Sequence, residues 1–169
     1  AQLKQALSKY KDLDLSILDK NIEVRHIAAD EDNDKAAAFL LQGHPETIFV
    51  TDGYYDMPEK FRMSALYHEL CHCVITPNLQ NADCLMYAEG VADYLLYETG
   101  AGISKYTAYP YCRDAVSSLC TVFGEEEVIM AVHNETINEL IDSRLGKGKG
   151  EYINDLLVKI QDSDDFEFR

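Results

Sequence analysis

His68-Glu69-Leu70-Cys71-His72 lies inside a stretch, Asp56 to Ile75, that reads as one helix. Asp56 offers an N-cap, and Glu59, three residues on, is its reciprocal partner in a capping box. Pro58 is tolerated in a first turn, and Pro77 with Asn78 ends the helix. Residues four apart on a helix stand ~6 Å apart along the axis on one face. Two imidazoles so placed can converge on one ion at about 2.0–2.1 Å. The glutamate beside the first histidine sits where it can take a proton from metal-bound water. The helical wheel puts Phe61, Ala65, His68 and His72 on one stripe, and Met63, Leu66, Leu70, Cys73 and Val74 on the opposite, apolar face. A helix apolar on both sides is expected between two layers, with its histidines and Glu69 in or beside the interior.

Working outward, residues 2–19 carry an amphipathic helical pattern, with Leu3, Leu13, Ile17 and Leu18 among lysines and aspartates. Ile22 to Ile27 alternates apolar and polar residues and predicts a half-exposed strand. Lys35 to Leu41 predicts a short helix stopped near Gly43, and Thr47 to Thr51 a second strand closed by a turn at Asp52-Gly53. Downstream, a helix is expected from Asp83 to Thr99, stopped by Gly100. After a Gly/Tyr-rich loop, helical patterns follow at about 112–123, 125–132, 135–144 and 150–161. The predicted class is α+β, mostly helical: a small N-terminal β-sheet, then the helix bearing the two histidines, then C-terminal helices. The 169 residues suit one domain of two lobes, about 1–100 and 101–169, flanking a cleft.

A catalytic zinc takes three protein ligands and keeps one position open. No Gly/His continuation of the metzincin type follows His72, because Ile75 and Thr76 stand where it would begin. The third ligand is therefore expected to be a carboxylate, from among Asp83, Glu89, Asp93 and Glu98. Glu89 and Asp93 are four apart in an otherwise apolar helix, a like-charge spacing that destabilises a helix by a few tenths of a kcal/mol and by more when buried. No Lys or Arg occurs between Arg62 and Lys105, yet that stretch holds Glu69, Asp83, Glu89, Asp93 and Glu98. A cation from outside the chain would resolve the imbalance. Zinc on Glu89 does so directly, with Asp93 accepting the free N–H of a ligand histidine, His68 being preferred. Gly90, costly in mid-helix by up to ~1 kcal/mol, would let two helices approach closely enough to share the ion.

The formal charge of −15 argues against nucleic acid or anionic membrane as a partner. No apolar run approaches the roughly 18 residues of a membrane span. The acidic run Asp30 to Asp34 reads as a solvated loop, since it lacks the spacing of a calcium loop. Five cysteines in no framework spacing read mostly as small buried residues. The first residue is Ala1, so either a targeting segment has been removed or the chain begins inside a longer one. An extracellular or cell-surface location is preferred to the cytoplasm.

His68-Glu69-x-x-His72 followed by Glu89-Gly90-x-Ala92-Asp93 resembles the gluzincin group of zinc metallopeptidases, the thermolysin and aminopeptidase type, over roughly residues 47 to 100. The resemblance implies a zincin-like fold and Zn2+ held by His68, His72 and Glu89, with Glu69 as general base and Asp93 behind the ligands. It also implies that strand 47–51 is an edge strand bordering the cleft, pairing with extended peptide substrate. Sixteen residues separate His72 from Glu89, fewer than in the best-known members, and Ala88 stands where many have Asn. The small intracellular metallopeptidases that cleave phage repressors offer a second resemblance with the same core site. The reaction implied is peptide-bond hydrolysis by a metal-activated water, on a peptide or protein substrate. The developing oxyanion needs a further donor. Tyr106, Tyr109, Tyr111 and His133 are candidates, Tyr111 being preferred for its place near a helix start. The competing reading is a non-catalytic zinc-binding or degenerate peptidase-like binding module, which intact Glu69 speaks against.

Overall fold

A computed structural model describes residues 2–28, 36–41, 43–44, 46–100 and 107–164. The order of elements is α1 (Gln2–Leu7), β1 (Glu23–His26), β2 (Ala38–Leu40), β3 (Thr47–Val50), α2 (Asp52–Asp56), α3 (Glu59–Ile75), α4 (Leu85–Thr99), α5 (Pro110–Phe123), α6 (Glu125–His133), α7 (Ile137–Leu145) and α8 (Lys149–Asp164). Short 3-10 turns lie at Ser16–Asp19 and Ala82–Cys84. The class is α+β and mostly helical. The chain divides into two compact units, 1–78 with 95–107, and 79–94 with 108–169. The helix α4 contributes to both.

In the first unit, β3 is the central strand of a three-stranded sheet ordered β1-β3-β2. It pairs parallel with β1 (Glu23↔Thr47 to His26↔Val50) and antiparallel with β2 (Ala38↔Val50 to Leu40↔Ile48). Ile48, Phe49 and Val50 are all buried, the continuous apolar run of a strand covered on both faces. The edge role expected of residues 47–51 is therefore corrected: both sides of β3 already have a strand, so its backbone has no free edge for a peptide. All four residues of β1 are exposed rather than alternating, as suits a strand with one neighbour.

Within the expected helix over Lys35 to Leu41, residues 38–40 form a strand, β2, and no described residue is helical. The Thr51 hydroxyl donates to the Ala36 carbonyl at 2.7 Å, and the Thr51 N–H to that of Ala37 at 3.1 Å. Phe39 stacks on Phe49 with centroids 5.9 Å apart. Pairing and cross-strand packing outweigh the helix propensity of the alanines. The helical pattern over 2–19 is broken after Leu7, and the Asp14 side chain accepts the Ser16 N–H at 2.9 Å, a local turn that competes with helix. The acidic run Asp30 to Asp34 lies outside the described residues.

The expected turn at Asp52-Gly53 is instead the short helix α2, and Asp56 ends it. Asp56 is thus not the cap of α3, which begins at Glu59 behind Pro58 with no side-chain cap. The residues that α3 buries are Ser64, Tyr67, His68, Cys71, Cys73, Val74 and Ile75, most of them at helical spacing. Met63, expected on an apolar face, is 56 % exposed. The α3 helix packs on β2 and β3.

In the second unit, the first ten residues of α4 meet α5 at Gly90 and α8 through Met86 and Tyr87. Tyr87, Val91, Val116, Val128, Ile129, Ile137 and Ile141 form its core. The Tyr87 hydroxyl donates to the Gly150 carbonyl at 2.7 Å, and the buried Asn154 side chain accepts the Met86 N–H at 3.3 Å. The Glu135 carboxylate accepts the N–H groups of Gln80 and Asn81, anchoring the approach to α4. Among the described residues, no helix is long and apolar enough to cross a membrane.

Candidate metal centre

His68 and His72 stand one turn apart on α3, and their Nε2 atoms face each other at 3.0 Å. Two nitrogens held about 2.0–2.1 Å from one tetrahedral ion stand roughly 3.3 Å apart, so this separation suits a shared ion. His68 is buried and His72 half-buried. The Nδ1 atom of His72 meets the Thr76 hydroxyl at 2.8 Å. Glu69, also half-buried, follows His68 on the same helix.

Glu89 is half-buried on α4, and Asp93, one turn on, is 1 % exposed. Among the described residues, one ligand atom from each of His68, His72 and Glu89 lies within 4.8 Å of the other two, a grouping that could hold a metal ion. Two imidazoles and a carboxylate are a donor set that zinc accepts. The other acids considered from the sequence, Asp83 and Glu98, are exposed.

Asp93 has a partner the sequence did not reveal. Its Oδ2 accepts the backbone N–H of Tyr109 at 2.8 Å. Tyr109 is the N-cap residue of α5, so the carboxylate sits at the positive end of a 14-residue helix. Tyr111 is the second residue of that helix and is 47 % exposed. Tyr109 is half-buried, His133 closes α6, and Tyr106 lies outside the described residues.

Gly90 is explained by α5. A Cβ added there would stand 2.5 Å from the Cys112 carbonyl oxygen and 2.8 Å from Val116 Cγ2. The close approach demanded of this glycine is thus to the α5 backbone rather than to the histidine helix.

The cysteines near these residues, Cys71, Cys73 and Cys112, are all buried. Burial pushes the Cys73 thiol up to about 12, and the nearby Glu69 charge adds to the shift. Burial does the same to Cys112, also to about 12, with help from Glu89 and Asp93. Both keep their protons near neutral pH and pack as small apolar groups.

Thr76 is the residue that reading the sequence missed. Its signal was its position four after His72, where helical spacing places it over the ring.

Comparison with protein-family models, with curated proteins and with solved structures found no match.

Proposed function

We propose that this chain is a zinc-dependent peptidase of zincin-like fold, holding Zn2+ through His68, His72 and Glu89 and hydrolysing peptide bonds. The observation that carries the reading is the grouping of those three ligand atoms within 4.8 Å, with Glu69 beside the first of them. A bound zinc would supply Lewis acidity, polarising a carbonyl and making water acidic enough to lose a proton near pH 7.

The chain's own residues do the rest. The Glu69 carboxylate takes the proton from the attacking water and returns it to the departing amine nitrogen. We assign Asp93 the ring N–H of His68. It also pins the N–H of Tyr109, and so the start of the helix that carries Tyr111. Tyr111 is our choice for the donor to the developing oxyanion, because its helix start is held by this carboxylate.

The test is zinc content and peptide cleavage for wild type and Glu69→Gln. Wild type is expected to carry about one zinc and to cleave. The variant should keep the metal and lose roughly 10²–10⁴-fold in rate, the usual contribution of general acid–base catalysis. A chain that neither carries nor takes up zinc would end this reading. Zinc bound by both forms, with neither cleaving any peptide in a broad library, would favour a binding module.

A further inference from the structure

Thr76 is tied to His72 at two points. Its backbone N–H donates to the His72 carbonyl at 3.0 Å, and its Oγ1 lies 2.8 Å from His72 Nδ1. It is the C-cap of α3, with φ −134° and ψ 50°, and Pro77 follows. A proline disfavours helical backbone in the residue before it. Thr76 is therefore the residue at which the helix must stop, and it stops with the hydroxyl buried against the ring.

The chemistry of the pair has one arrangement suited to metal binding. A neutral imidazole that offers its Nε2 lone pair to an ion carries its proton on Nδ1. The Nε2 of His72 is the atom turned toward His68, so Nδ1 is the atom left to an outer partner. A hydroxyl oxygen can accept that proton, and a valine in its place cannot. Outer partners of this kind set both ring orientation and tautomer, and losing one typically costs 10–100-fold in metal affinity.

We propose that Thr76 is a positioning residue of the candidate site: it accepts the Nδ1–H of His72 and so holds the ring with its Nε2 lone pair facing His68 and Glu89. The consequence for zinc affinity rests on the proposed function; the tautomer does not. A neutral hydroxyl orients the ring without adding a negative charge, so the site gains direction from Thr76 while its charge comes from Glu89.

The experiment uses the full chain as wild type, Thr76→Ser and Thr76→Val. Long-range proton–nitrogen correlation on the metal-free protein reads the His72 tautomer. Competition with a chromophoric chelator reads zinc affinity, and metal-free thermal midpoints report any general loss of structure. His72 is expected to carry its proton on Nδ1 in wild type and the serine variant. The valine variant should lose that preference and bind zinc ~10-fold or more weakly, with the serine variant close to wild type. Should the valine variant be too unstable, Thr76→Ala gives the same comparison. The proposal is overturned if wild-type His72 carries its proton on Nε2, or if valine and serine variants match in both tautomer and affinity. If the tautomers behave as expected but no form takes up zinc, the role of Thr76 stands and the zinc reading falls.

Discussion

Gly90 and Cys112 bring the backbones of α4 and α5 so close that a single added methyl group would stand 2.5 Å from the Cys112 carbonyl oxygen. A carbonyl within a helix cannot yield as a flexible side chain can. Alanine at this position would gain up to ~1 kcal/mol in helix propensity, against an overpacking cost of typically 1–3 kcal/mol. The second effect should win. Gly90→Ala is expected to lower stability by about 1–2 kcal/mol, read as a lower urea midpoint. An unchanged or raised midpoint would show that the helices can separate at little cost.

The choice of third ligand can be tested against its neighbours in the sequence. Glu89→Ala should lower zinc affinity by at least the ~10–100-fold that follows loss of even an outer partner. Asp83→Ala and Glu98→Ala, at exposed positions, should leave it unchanged. Isothermal titration of the three variants decides this, and equal losses in all of them would point to a diffuse electrostatic effect.

Asp142 links acid stability to the start of α8. Its carboxylate accepts the N–H groups of Gly148 at 2.7 Å and Gly150 at 2.9 Å. The Gly150 bond, then the Gly148 bond, holds its carboxyl below the usual aspartate value. A depressed carboxylate contributes stability that is present above its unfolded pKa of about 3.9 and lost as pH falls through the folded value. Thermal midpoints of the wild type should therefore decline below about pH 4. Asp142→Asn, which cannot ionise, should show a shallower decline there. Parallel curves for the two proteins would count against the assignment.

Thiol reactivity should follow burial. Cys71, Cys73, Cys84 and Cys112 are buried, and Cys120 is half-buried. Burial pushes the Cys84 thiol up to about 11 as well, with Glu135 adding to it. At pH 8, iodoacetamide should modify Cys120 first in the folded protein and all five only after denaturation. Early labelling of Cys73 or Cys112, located by peptide mass spectrometry, would contradict the packing described.

Much of the helical framework was legible because its signals are local. The patterns at about 112–123, 125–132, 135–144 and 150–161 match α5 to α8 to within about three residues at each end, since apolar spacing and the glycines at 124 and 146 act within a few residues. The run Thr47 to Val50 was legible as a strand for the same reason. Its place at the centre of the sheet was not, because neighbours are chosen by pairing across the chain. The stretch at 38–40 was misread because alanine-rich sequence favours helix until a partner strand is present.

His68, Glu69 and His72 were readable as a set, because four-residue spacing on a helix is a geometric statement in itself. Glu89 was readable from charge, as an acid with no basic residue near it in sequence. What the sequence by itself determined was thus a helix bearing two histidines on one face and, further on, an acid in a stretch with no basic residue. Only the tertiary structure decided that the two Nε2 atoms face each other, that Thr76 backs His72, that Asp93 holds Tyr109, and that Gly90 serves α5. The physical reason is range. Periodicity and capping act along a few bonds, whereas the partner of a buried polar group is whatever the fold brings within about 3 Å.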